Sequence, residues 1–139
     1  MIRRGGLAAF SLAISVIAIA SPTHAETVAK PESADCSLIT TKAKALSLVR
    51  SGVLVRILFF PAELGGEDVP ANRGFVPPVA ATAQRDVVAD LIDKVRRGTL
   101  DQMTVTPDYK GKSIVPTQIL FHASSTKGGK RWTARVAVW

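Results

Sequence analysis

The sequence predicts an α+β domain, with a small, mostly antiparallel sheet of about four strands and two helices packed on one face. Three observations carry this expectation. Val53 to Phe60 is a β-branched and aromatic run, Val87 to Val95 carries apolar residues at helical spacing, and Gln102 to Trp139 alternates short strand-like runs with turns.

The chain begins with what reads as an export leader. Arg3 and Arg4 give a positive start, Leu7 to Ala20 is uncharged and apolar, and Ser21-Pro22 break the run before Thr23-His24-Ala25. Small residues ending in Ala25 fit a signal-peptidase site, so residues 1–25 are expected to be removed. A retained anchor would need about 20 apolar residues, and this run is shorter and ends at a proline. The Arg3-Arg4 pair does not make a twin-arginine signal, because Ile2 stands where a polar residue belongs. The remaining 114 residues hold 16 Lys and Arg against 11 Asp and Glu, enough chain for one basic domain with its own core. The expected location is exported, periplasmic or secreted, with no transmembrane segment in the mature form.

Residues 26–36 are polar, contain Pro31 and show no apolar period, which reads as a flexible lead-in to a single domain over 37–139. Cys36 is the chain's one cysteine, so no intramolecular disulfide can form, and its thiol is expected to be semi-exposed and silent. Leu38 to Arg50 places Leu38, Ala45, Leu46 and Val49 on one helical face, with Ser37 as N-cap and Gly52 as stop. Val53 to Phe60 then reads as a central strand, apolar on both faces. Arg56 is the exception there, and requires a strand end or a neighbouring acid.

Pro61 to Pro78 holds four prolines and three glycines and predicts no regular element. The next helix is expected from an N-cap at Thr82, with Val87, Val88, Leu91, Ile92 and Val95 inward and Gly98 at its stop. Its acids precede its bases, which suits the helix dipole, and Asp90 and Lys94 form an i,i+4 pair. Gln102–Thr106, Ser113–Ala123 and Arg131–Trp139 are the remaining strands, joined by turns at Pro107–Lys112 and Ser124–Lys130. Pro116 removes a backbone donor and marks an edge or a bulge.

The motifs narrow the chemistry mainly by exclusion. Thr106 to Ser113 (TPDYKGKS) ends like a phosphate-binding loop but lacks the first glycine and runs into a strand-like segment. After processing, one histidine (His122) and one cysteine are too few for a tetrahedral soft-metal site. Glu63, Glu67 and Asp68 do not follow the calcium-loop spacing and read as solvated carboxylates. No cofactor is implied, and no pair of acids stands out for carboxylate-pair hydrolysis. The alternating C-terminal strand ending at Trp139 is too polar on the Trp139 face for a lipid-facing barrel strand.

Two readings of function remain. The preferred one is a non-enzymatic exported accessory or binding protein, using a basic rim of Arg96, Arg97, Lys127, Lys130 and Arg131 to meet an acidic protein or an anionic envelope polymer. Nucleic acid is disfavoured by the expected location and by the lack of an aromatic stacking set. The rival is a small secreted hydrolase or thiol enzyme using His122, which would need a concave site gathering His122 with Cys36 or with paired acids. The processing expectation has a direct check: intact-mass measurement of the exported protein should find Glu26 as its first residue, and membrane-bound protein retaining residues 1–25 would contradict it.

Overall fold

A computed structural model describes residues 35–139, so the expected leader and most of the lead-in lie outside the described residues. Helix α1 spans Lys42–Arg50, later and shorter than the sequence predicts. Thr41, not Ser37, is its N-cap, accepting a hydrogen bond from the Lys44 amide at 3.2 Å. An extended Thr41 carries the oxygen that satisfies an otherwise unpaired first-turn donor. Leu38 therefore falls outside the helix and is 72% exposed, whereas Ala45 is buried.

Strand β1 (Val55–Leu58) follows, and its partner comes from the stretch predicted to be irregular. Two short 3-10 turns, Ala62–Leu64 and Pro70–Asn72, lead into β2, Arg73–Val76. Asn72 fixes this fold-back: its side-chain amide accepts from the Phe60 N–H at 2.7 Å and donates to the Phe60 carbonyl at 2.9 Å. A third bond, to the Glu67 carbonyl, pins the intervening loop. Pro77-Pro78 keeps the end of β2 extended, because a residue before proline avoids the helical region. Gly74 is needed where β2 passes the ring of Phe59, since a methyl group there would overlap the ring.

The α+β class stands, but the single sheet of about four strands does not. β1 and β2 form a two-stranded antiparallel sheet, and β3 (Gln102–Asp108), β4 (Gln118–Ser124) and β5 (Arg131–Ala137) form a separate antiparallel meander in that order. β1 is thus not a central strand. β4 starts after Pro116, so the proline precedes the ladder and breaks none of it.

Helix α2 spans Pro78–Arg96 and begins a turn before the predicted Thr82 cap. Proline suits the first turn, where its missing N–H has no helical acceptor to lose. Thr82 instead donates its hydroxyl to the Pro78 carbonyl at 3.2 Å. The predicted ion pair is present, with Lys94 Nζ 2.6 Å from Asp90. Gly98, at φ 69°, ends the helix, and the Gly98 and Thr99 amides return to the Val95 and Lys94 carbonyls.

Inward residues of the meander alternate with outward ones. Ile119, Phe121 and Val136 are buried with Val88 of α2, Ala45 of α1 and Cys36 in one cluster. Leu91, Leu100 and Ala123 make a smaller cluster beside Met103 and Trp132. Val95, expected inside, is 39% exposed. Leu91 is wholly buried, so Leu91→Ala is expected to cost about 2–5 kcal/mol through lost transfer energy and a cavity. A denaturant midpoint unchanged within error would show that α2 does not cover the sheet.

Candidate functional site

A convergence of charged side chains on a concave surface lies away from the predicted rim. A cleft of about 450 Å³ is lined by Lys42, Arg56, Arg73, Phe75 and Tyr109, together with Pro70, Gly74, Ser113 and Ile114. Lys42 is the first residue of α1, Arg56 belongs to β1, Arg73 and Phe75 to β2, and Tyr109 to the connection between β3 and β4.

The local fold explains the meeting. In the hairpin, Arg56 stands opposite Phe75 and Leu58 opposite Arg73. Directly opposed residues share a sheet face, so both arginines flank the same aromatic ring. The other wall is brought in by two long-range bonds. The Ile114 amide donates to the Ile39 carbonyl at 2.9 Å, and the buried Ser113 hydroxyl donates to the Cys36 carbonyl at 2.8 Å. These bonds set the β3–β4 connection against the segment entering α1, with Lys42 and Tyr109 on one opening.

The three cations are not equivalent. Arg73 is held by Asp68, with Nε 2.6 Å from the carboxylate and a second bond to the Asp68 carbonyl. That guanidinium, with Arg56 adding a weaker attraction, keeps the Asp68 carboxyl below its ordinary range. Among the described residues neither Lys42 nor Arg56 is within ion-pair distance of a carboxylate. Partial burial pushes the Tyr109 phenol upward, so at neutral pH it stays protonated and available as a donor. Ser113 cannot serve as a nucleophile, since its oxygen donates to Cys36 and accepts from the Val115 amide at 3.1 Å. The arrangement suits holding an anion.

The predicted rim residues are gathered at one end of the domain but form no cleft together. Asp101, just after α2, donates its amide to the Ser124 carbonyl, and its carboxylate accepts from the amide and hydroxyl of Thr126. This clamp sets Arg96 and Arg97 at the same end as Lys127, Lys130 and Arg131. Arg97 is paired with Asp93 at 3.0 Å, and Asp101 faces Lys127, so acids offset part of the positive charge. Arg131 borders a separate cleft of about 370 Å³ with His122, Thr104 and Thr133.

The structure does not bring Cys36 and His122 together. Cys36 is 1% exposed and belongs to the core, which corrects the expectation of a semi-exposed thiol. His122 lies on the outer face of the meander, exposed between Thr104 and Thr133. Burial, and then the Asp35 charge, raise the Cys36 thiol above its ordinary value, which disfavours the reactive thiolate. Among the described residues no three His, Cys, Asp or Glu side chains cluster as metal ligands, Glu63, Glu67 and Asp68 included. The TPDYKGKS stretch leaves β3 and enters a non-helical segment before β4, so it offers no helix N-terminus to a phosphate. No helix among the described residues is long and apolar enough to cross a membrane.

Lys42, Arg73 and Tyr109 were not singled out by sequence reasoning. Arg56 was the one available signal, as the charge interrupting an apolar strand. Compared with family models, curated proteins and solved structures, the chain matches none.

The Asp101 clamp gives a pH-dependent signature. The Thr126 hydroxyl and amide bonds hold its carboxyl below the ordinary 3.8. A depressed carboxyl adds stability that is present above its unfolded value and lost as pH falls through the folded value. In an NMR titration the Thr126 amide shift should therefore move with a midpoint below 3.8, and Asp101→Asn should abolish that step. A midpoint at or above 3.8 would mean that the clamp is open in solution.

Proposed function

We propose that this chain is an exported, non-enzymatic accessory or binding protein of the cell envelope, and that it takes an acidic partner at the cleft formed by Lys42, Arg56 and Arg73. The observation that carries the reading is the convergence of these cations, from three separate segments, on a concave surface floored by Phe75 and walled by Tyr109. Among the described residues neither Lys42 nor Arg56 is within ion-pair distance of a carboxylate, and Asp68 acts on Arg56 only at longer range, so much of their field is directed at whatever enters. Planar arginines add the fork geometry that suits carboxylate and phosphate groups. Export rests on the leader-like residues 1–25. The basic rim of Arg96, Arg97, Lys127, Lys130 and Arg131 is a supporting surface, because acids offset part of its charge. An enzyme pairing His122 with Cys36 has less support, since Cys36 is buried in the core and His122 lies exposed on the outer face of the meander.

The test compares two double variants, Lys42→Glu with Arg56→Glu in the cleft and Lys127→Glu with Lys130→Glu in the rim. Binding to polyaspartate and to polygalacturonate should fall about tenfold or more for the cleft variant and much less for the rim variant, since removal of close complementary charges costs several kcal/mol at most and rim charges cost less. Added salt should weaken wild-type binding, because exposed charges are screened over about 8 Å at physiological ionic strength. Equal binding by the wild type and the cleft variant at low salt would remove the cleft from the mechanism.

A further inference from the structure

The free edge of β1 faces a second cleft, of about 460 Å³, lined by all four β1 residues and by Ala81, Arg85 and Val88 of α2. In an antiparallel pair, successive residues direct their N–H and C=O groups alternately toward and away from the partner strand. The Phe59 amide bonds the Asn72 carbonyl, so Phe59, Ile57 and Val55 face β2, and the main-chain groups of Arg56 and Leu58 face away.

Both ends of this outward row are already occupied. The Leu54 amide donates to the Leu48 carbonyl at the end of α1. At the other end Gln84, only 6% exposed, donates from Nε2 to the Leu58 carbonyl at 2.8 Å. Between them remain the C=O of Leu54, the N–H and C=O of Arg56 and the N–H of Leu58, and the last three belong to residues that line the cleft. Its base is apolar, with Ala81 and Val88 buried, while Arg56 and Arg85 stand exposed at its rim against the single acid Glu63. Arg56 also lines the cationic cleft, so one ridge residue joins the two.

We propose that the β1 edge takes an extended acidic peptide segment of the partner as a third strand. One residue of that segment exchanges two bonds with Arg56, and a neighbouring carbonyl accepts the Leu58 N–H. Acidic side chains of the segment meet Arg56 and Arg85. An added strand supplies main-chain groups at the spacing of this row, and its side chains set specificity. A glycan offers no such repeat. The inference rests on the acidic-partner reading and narrows the partner to a protein.

The probe is an end-blocked hexapeptide alternating aspartate and valine, added to the isotope-labelled exported protein. Hydrogen exchange at the Arg56 and Leu58 amides is expected to slow at least tenfold. The same peptide N-methylated at alternate residues keeps its charge and should bind at least tenfold more weakly at high salt. Arg56→Gln removes the charge alone, whereas Arg56→Pro also removes the outward N–H and is tolerated at a free edge. Arg56→Pro should therefore bind more weakly than Arg56→Gln at high salt. Equal binding of both peptides, or binding that perturbs Lys42 and Tyr109 without slowing Arg56 and Leu58, would overturn strand addition and leave the acidic-partner reading intact. Salt-sensitive binding of polygalacturonate with none of the hexapeptide would overturn it likewise, and failure of both probes would overturn both readings.

Discussion

The Ser113 hydroxyl is the contact on which the arrangement of the domain turns. It is buried, it donates to the carbonyl of Cys36 across 77 residues of chain, and it accepts from the Val115 amide. Without it the buried Val115 amide would lose its partner, at a cost of about 1–3 kcal/mol, and the Cys36 carbonyl would keep only the short-range bond from the Ile39 amide. The bond also has a directional effect. Together with the Ile114 to Ile39 bond it lays the start of the domain across the β3–β4 connection, which seats Cys36 and Ile39 in the core. Lys42, the first residue of α1, is carried to the cleft by the same contacts. One polar anchor thus serves packing and places a wall of the site.

The separation into two sheets follows from how each strand is satisfied. β3, β4 and β5 are long enough to form complete ladders through two short connections. β1 has four residues and finds its partner across the Asn72 fold-back. What remains on its other edge is covered piecemeal, by the Leu48 carbonyl and by the Gln84 side chain. An exposed edge is a template for further pairing, and natural sheets usually shorten or cover it. Here the cover is incomplete over Arg56 and Leu58, and the gap opens into a cleft rather than onto a flat surface.

What the sequence made legible was whatever depends on local pattern. Val87 to Val95 carries a helical period strong enough to reveal α2, and Asp90 with Lys94 forms the expected pair. The meander was readable because Trp132, Ala134 and Val136 alternate with Thr133 and Arg135 across a two-residue period. β2 was hidden because Arg73-Gly74-Phe75-Val76 is short, contains glycine and abuts two prolines, all signals of irregular chain. Its pairing is decided by the Asn72 amide, a contact between residues 12 apart that no periodicity records. Cys36 was misplaced for a similar reason: polar neighbours suggested a lead-in, while Ser113 draws its backbone inward. The cleft was the least legible feature, since each of its cations stands alone in its own segment and the cluster exists only in three dimensions.

The two basic regions show why counting charges along a chain misleads. The end formed by Arg96, Arg97, Lys127, Lys130 and Arg131 has more cations than the cleft, and two of those five are adjacent in α2 and its cap. Yet Arg97 is turned back onto Asp93 and Asp101 lies beneath the Lys127 turn, while the cations of both regions are exposed. Exposed pairs of this kind contribute little, because water and salt screen both partners. At the cleft, fewer charges face a concave surface lined by Phe75 and Tyr109, and among the described residues only Arg73 of its three cations is within ion-pair distance of an acid. Field strength at a site depends on compensation and shape as well as number. Arg56 joins the two clefts, because it lines both while its main-chain groups face the open strand edge, so charge and main-chain pairing meet at one residue.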